Sequence, residues 1–228
     1  MSGRLYGLGV GPGDPELVTV KALRLLRAAP VLAYPAPETG ESFARSIVAG
    51  WLDGRQREIA LRFPMRPGPP PAAVYDAAAE TLAAELDRGA DVALLCQGDP
   101  LFYGSFIGIY ERLAGHCPIE IVPGVSSLVA CAAVAGAPLV SGDGSLAVIP
   151  ATLDETALRT RLAAAESAAV VKLGRHFAKL RQVLQSLGRL DRALYVERAS
   201  LPNQRILPLA AVDPARVPYF AMALVRRF

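Results

Sequence analysis

Along the first half of the chain, short apolar runs alternate with longer stretches in which apolar residues recur every three or four positions. The runs "LYGLGV" (5–10), "APVLAY" (29–34), "REIAL" (57–61), "DVALLC" (91–96) and "IEIVPG" (119–124) have the length of buried strands. Between them, "PELVTVKALRLLRAA" (15–29), "ESFARSIVAGWL" (41–52), "AAVYDAAAETLAAELDRG" (72–89) and "GSFIGIYERLAG" (104–115) carry the helical period. This alternation predicts an α/β fold, with a parallel five-stranded sheet and helices on both of its faces over residues 3–124. The proline-rich "FPMRPGPPP" (63–71) fits neither a helix nor a central strand and is expected as a surface loop long enough to reach over a cleft.

The pattern then changes. After a small-residue helix, "SSLVACAAVAG", and the turn-rich "SGDGS", the runs "LAVIP", "AAVVKL", "ALYVER", "QRILPL" and "YFAMALV" read as strands, with only two helices, at about 154–165 and 176–187. Strands now outnumber helices, which predicts a smaller mixed-sheet α/β domain with hairpins. The expected division is an N-terminal domain at 1–124 and a C-terminal domain at 125–228. A cleft between two such lobes is a common place for a ligand.

Composition narrows the class. Cys96, Cys117 and Cys131 are odd in number and lack CxxC spacing, so they read as structural thiols of a reducing, cytoplasmic compartment, with no zinc site. The longest strongly apolar run, "LVACAAVAGAPLV", has 13 residues, too few to span a bilayer, and no membrane partner is expected. The net charge is +3, yet only three of the 24 basic residues are lysines. Arginine forks match carboxylates, as a polycarboxylate ligand would require, although a GC-rich genome also enriches arginine. No basic cluster interleaved with aromatics appears, so no nucleic-acid partner is expected.

The glycines bear on the ligand. In "GLGVGPGDPE" they stand at 7, 9, 11 and 13, so a GxGxxG frame fails at Pro12 or at Asp14, and none of the three lysines follows a P-loop pattern. Both Gly13-Asp14-Pro15 and Gly98-Asp99-Pro100 instead place Asp-Pro after a strand, as helix capping does. Asp99 also falls at the strand edge where doubly wound sheets bind ligands. A carboxylate there repels phosphate and favours a cationic or neutral nucleoside.

Four separated motifs, "GVGPGD", "GDPLFYGS", "VPGVSS" and "ERASLPNQR", resemble in order and spacing those of the tetrapyrrole methylases, over nearly the whole chain. Within that family the chain most resembles the branch that methylates C-20 of precorrin-2, through "RFPM", "GDPLFYGSF", "IPATL", "KLGRH" and "YFAMALV". The resemblance implies a two-lobed homodimer and transfer of methyl from S-adenosylmethionine to a tetrapyrrole in cobalamin synthesis. Cofactor contacts are implied at Pro12, Gly98, Asp99, Phe102, Ser126, Ser127, Leu173, Ala199 and Met222, the last three forming an apolar slot for the purine. In the family's uroporphyrinogen methylases an acid follows the second strand; here Pro35 replaces it, which points to a later corrinoid step.

The chemistry asks for few acids, because an electron-rich meso carbon needs in-line approach to the sulfonium and then loss of a proton. No catalytic side chain is assigned. Glu197 and His176 are candidate bases, although a lone histidine or a glutamate closing a strand is more often structural, and His116 reads as a surface-loop residue. Arg62, Arg66 and Arg175 are candidate partners of the substrate carboxylates. The cobalt-loaded substrate, another tetrapyrrole methylation such as C-17, C-11 or uroporphyrinogen III, and a non-catalytic small-molecule binding protein all stand as alternatives.

Overall fold

The computed structural model describes residues 2–64 and 70–226; Met65 to Pro69, and with them Arg66 and most of the expected proline-rich loop, lie outside the described residues. The chain divides into two compact units, Met1–Ser126 and Ser127–Phe228.

In the first unit, β1 (Leu5–Gly9), β2 (Val31–Pro37), β3 (Arg57–Phe63), β4 (Val92–Cys96) and β5 (Ile119–Val122) form one parallel sheet in the order β3-β2-β4-β1-β5. Successive side chains on a strand point to opposite faces, and the core divides accordingly. Leu8, Leu32, Ala93 and Leu95 pack under α1 (Val20–Ala28) and α2 (Phe43–Val48), whereas Leu5, Ala33, Val92 and Leu94 pack under α3 (Ala72–Asp87) and α4 (Phe106–Leu113). Burying each leucine fully is worth roughly 1.5–3 kcal/mol. The helix starts follow local chemistry: Thr19 Oγ1 accepts from Ala22 N at 3.2 Å, and Ser42 Oγ from Arg45 N at 3.3 Å.

Two strand ends differ from expectation. β2 runs on through Pro35 to Pro37, beyond Tyr34, because past Ala33 it pairs only with the edge strand β3 and a missing N–H costs no ladder bond on the other side. Phe63, expected in the loop, is buried as the last residue of β3, where its ring packs edge-on to Tyr75 at 5.3 Å.

The second unit begins with α5 (Ser127–Val134). Its sheet joins β6 (Leu146–Pro150), β7 (Ser167–Val171), β8 (Ala193–Glu197), β9 (Arg205–Pro208) and β10 (Ala221–Val225) in the order β6-β7-β10-β8-β9. The β6–β7 pair is parallel, and β10 runs antiparallel to both β7 and β8. α6 (Glu155–Ala164), capped by Asp154 Oδ1 accepting from Ala157 N, and α7 (Phe177–Ser186) supply Leu158, Leu162, Phe177 and Leu180 to one core with Val170 and Tyr195. The expected α/β class, five-stranded parallel sheet and mixed second sheet are what the chain forms.

Candidate functional site

In the first unit the site follows from topology. β1 and β4 are adjacent and parallel, but the chain leaves β1 toward the face covered by α1 and leaves β4 toward the face covered by α4. The connections part there, at the carboxyl ends of the strands, the place where open parallel sheets bind ligands. Glycines knit the loops at that point. Gly98 N donates to Gly11 O at 2.7 Å and Gly11 N to Gly98 O at 3.4 Å, joining the loops after β1 and β4. A Cβ on Gly124, after β5, would fall 2.1 Å from Gly98 O and 2.7 Å from Gly9 Cα. The glycine spacing therefore serves backbone-to-backbone packing of three strand ends, where no side chain fits.

Asp99 completes this knot. Its Oδ1 accepts from Leu101 N at 2.9 Å and its Oδ2 from Gly124 N at 3.1 Å. The capping and ligand readings are thus compatible, since an ionised carboxylate has about four acceptor positions and two are taken by these bonds. Asp14 caps the turn that follows it, accepting from Glu16 N at 2.9 Å. Pro12 is buried, Phe102 is half-buried against Tyr103 with ring centroids 5.0 Å apart, and Ser126 immediately precedes α5. Gly98 has φ +68°, and a Cβ built on it meets nothing within 4 Å, so space opens on that side of the loop. The donor set fits a cationic ligand: a carboxylate with spare acceptors beside open space, and no lysine or arginine in the loop.

In the second unit β7 and β8 both run antiparallel to β10 and so end at the same sheet edge, where β10 begins. Leu173 follows β7, Ala199 follows β8 and Met222 is the second residue of β10, so the three positions converge at one end of the sheet. Leu173 is 0% exposed and packs into the unit's own core, and Ala199 and Met222 are also buried.

Backbone strain marks the same places. Among the described residues the non-glycine ones with left-handed φ are Tyr103 (57°), Lys172 (58°), Arg198 (51°) and Ser200 (69°). Each adjoins an assigned position: Phe102, Leu173 or, on both sides, Ala199. Such conformations cost of order 1–3 kcal/mol each and persist where surrounding structure holds them. No residue type signals them in the sequence.

The candidate bases separate. Glu197 is 2% exposed; Oε2 accepts from Tyr195 Oη at 2.5 Å, and Oε1 from Arg198 Nη1 at 3.2 Å and Arg205 Nη1 at 3.4 Å. It is a structural hub, and burial together with this carboxylate pushes the Tyr195 phenol up. His176 precedes α7; burial, Lys179 and Arg175 hold its imidazole below the usual value, and its Nε2 accepts from Arg175 Nε at 3.4 Å. His116 is exposed and pairs with Asp87 at 3.0 Å. Arg62 donates through Nη1 to Pro37 O and Gly40 O, strapping the loop after β2, and Arg175 is exposed. Burial pushes the Cys131 thiol up to about 12 and raises Cys96 further, as inert structural thiols require. Among the described residues no helix is long and apolar enough to cross a membrane.

Comparison with known proteins bears on this geometry. The chain is 46% identical, over 98% of its length, to the cobalamin biosynthesis protein CobIJ of Mycobacterium tuberculosis, and spans only 46% of that relative. It is 43% identical to a precorrin-2 C(20)-methyltransferase of Sinorhizobium sp., over 98% of this chain and 95% of that one. Identity to a cobalt-precorrin-2 C(20)-methyltransferase of Salmonella typhimurium is 37%, over 100% and 98%. Among solved structures, a uroporphyrin-III C-methyl transferase from Thermus thermophilus complexed with S-adenyl homocysteine matches with TM-score 0.70 and 27% identity, covering 98% of this chain and 97% of that one. The model of the Tetrapyrrole (Corrin/Porphyrin) Methylases matches residues 4–213, and the chain belongs to that family.

Proposed function

We propose that the chain transfers a methyl group from S-adenosylmethionine to the meso carbon C-20 of precorrin-2, giving precorrin-3A. The observation that carries this reading is the 43% identity to a relative named for that reaction, over nearly the full length of both chains. When bound, the cofactor supplies a methyl group made electrophilic by its sulfonium. Pro12, Gly98, Asp99 and Phe102 at the switch point, Ser126 and Ser127 at the start of α5, and Leu173, Ala199 and Met222 at the second sheet's edge would hold it. The remaining acceptor positions of Asp99 take donor groups of the ligand, and its charge favours a cation. Fixing the reactants in line supplies about 7–11 kcal/mol of the barrier, so the residues need mainly to position.

The substrate's acetate and propionate arms are assigned to Arg62 and Arg175, with Arg66 outside the described residues. Arg62 spends Nη1 on two carbonyls, which leaves the rest of its guanidinium for a carboxylate. The 37% identity to a relative named for the cobalt-loaded substrate favours a second reading, in which that species is methylated. The proposal extends to a cytoplasmic homodimer, which sedimentation of the purified chain tests.

The deciding assay offers metal-free precorrin-2 and its cobalt-loaded counterpart separately, with S-adenosylmethionine. Formation of S-adenosylhomocysteine with the metal-free substrate supports the first reading, and formation with the cobalt species alone the second. Cofactor uptake with no turnover on any tetrapyrrole would indicate a binding protein.

A further inference from the structure

The turn from β8 to β9 carries two of the four strained residues and a set of side-chain bonds that none of the assigned cofactor positions explains. Arg198 N donates to Phe220 O at 2.9 Å, which carries the β8–β10 ladder one residue past Glu197. The chain then turns sharply: Leu201 N donates to Arg198 O and Gln204 N to Leu201 O, both at 3.0 Å. Arg198 and Ser200, at φ +51° and +69°, flank Ala199. At most left-handed positions among the described residues the chain places glycine, as at Gly11, Gly98 and Gly188, and apart from this turn only Tyr103 and Lys172 depart from that. Here side chains are needed. The Arg198 guanidinium pairs with buried Glu197, which also receives Arg205 from the opposing strand, and Ser200 N donates to the side-chain oxygen of Gln204 at 3.0 Å. Seven residues between antiparallel strands have many unstrained paths, so closure of the hairpin does not demand this one.

We infer that Glu197 and Gln204 are positioning residues that clamp the strained Arg198–Ala199–Ser200 turn in the shape that presents the Ala199 main chain to the adenosyl group. The inference rests on the methylation reading, which places Ala199 beside the cofactor. Neither residue touches the ligand. Glu197 anchors the start of the turn through two arginines, and Gln204 satisfies the Ser200 amide from the far side. The turn is thereby fixed before binding, and less ordering remains to oppose it.

The test uses the full chain and S-adenosylhomocysteine as the calorimetric probe. Gln204→Ala removes the acceptor for Ser200 N, and Gln204→Glu keeps an oxygen at the same reach. Loss of one such bond corresponds to about 3- to 10-fold weaker binding. The Ala variant should therefore bind the probe that much more weakly and show a raised KM for S-adenosylmethionine with kcat at saturating cofactor unchanged. The Glu variant should stay within about 2-fold of wild type, since the bond is kept. Wild-type affinity in Gln204→Ala, or equal loss in both variants, overturns the positioning role while leaving the methylation reading intact. A wild-type chain that takes up no probe overturns the methylation reading, and this inference with it.

Discussion

Gly124→Ala is the sharpest perturbation of the switch-point knot. The new Cβ would lie 2.1 Å from Gly98 O, 2.7 Å from Gly9 Cα and 2.8 Å from Gly9 C, all backbone atoms that no rotamer change can move aside. Ordinary carbon contacts begin near 3.5 Å, so the loops after β1, β4 and β5 must part by roughly 1 Å. Overpacking of this kind typically costs about 1–3 kcal/mol, and here it also stretches the Gly124 N to Asp99 bond. A shift of about 1 Å at the reacting centre lowers rate on the order of 100-fold. Gly98→Ala is the comparison for stability, because its Cβ meets no protein atom within 4 Å and the fold bears only the left-handed backbone cost, roughly 1–2 kcal/mol, whereas in binding the Cβ enters the space assigned to the cofactor. Urea denaturation and single-turnover methyl transfer should therefore show both variants destabilised, with the Gly124→Ala rate the more depressed at temperatures where each stays folded. A folded Gly124→Ala chain with wild-type rate and stability would refute the close packing of the three strand ends as the basis of the site.

Asp99→Asn keeps one acceptor oxygen but turns an amide NH₂ toward a backbone N–H, so it should lose about 1–3 kcal/mol of stability in urea titration and bind S-adenosylhomocysteine more weakly; unchanged values for both would reduce Asp99 to a bystander. The neutral form of His176 is favoured in the fold, so between its depressed value and the unfolded value of 6.5 the unfolded chain holds more protons and stability rises with pH. His176→Gln should flatten thermal stability against pH below 6.5, and an unaltered slope would contradict the shift. Substrate affinity should fall with ionic strength more steeply than cofactor affinity, over a Debye length of roughly 8 Å at physiological salt. Equal slopes would remove Arg62 and Arg175 from substrate binding.

The fold was legible because its signals are local. Runs such as "DVALLC" and the helical period of residues 72–89 specify strand and helix from within a few residues, and β4 and α3 form where those patterns lie. The capping bond of Asp99 was legible in the same way, from Asp-Pro after a strand. What the sequence did not disclose depends on distant partners. The contact of Gly9 with Gly124 joins residues far apart in the chain, and nothing in either residue announces it. Glu197 stands as a candidate base beside the commoner structural reading until Tyr195, Arg198 and Arg205 are seen around it. Leu173 looks like lining because it is apolar, and only the structure shows its side chain in the second unit's core. The left-handed turn at Arg198 and Ser200 is invisible for a further reason: neither residue type favours that conformation, and only tertiary bonds sustain it.

The position of the transferred methyl group tests the central reading most directly. Precorrin-2 labelled with carbon-13 at its meso carbons, incubated with the chain and S-adenosylmethionine carrying a carbon-13 methyl, should give a product with one new methyl resonance, coupled to the meso carbon between rings A and D. A methyl signal without meso coupling, or a methyl placed instead on C-2 or C-7 of uroporphyrinogen or on C-17 or C-11 of a later intermediate, would contradict C-20 transfer while leaving the family assignment standing.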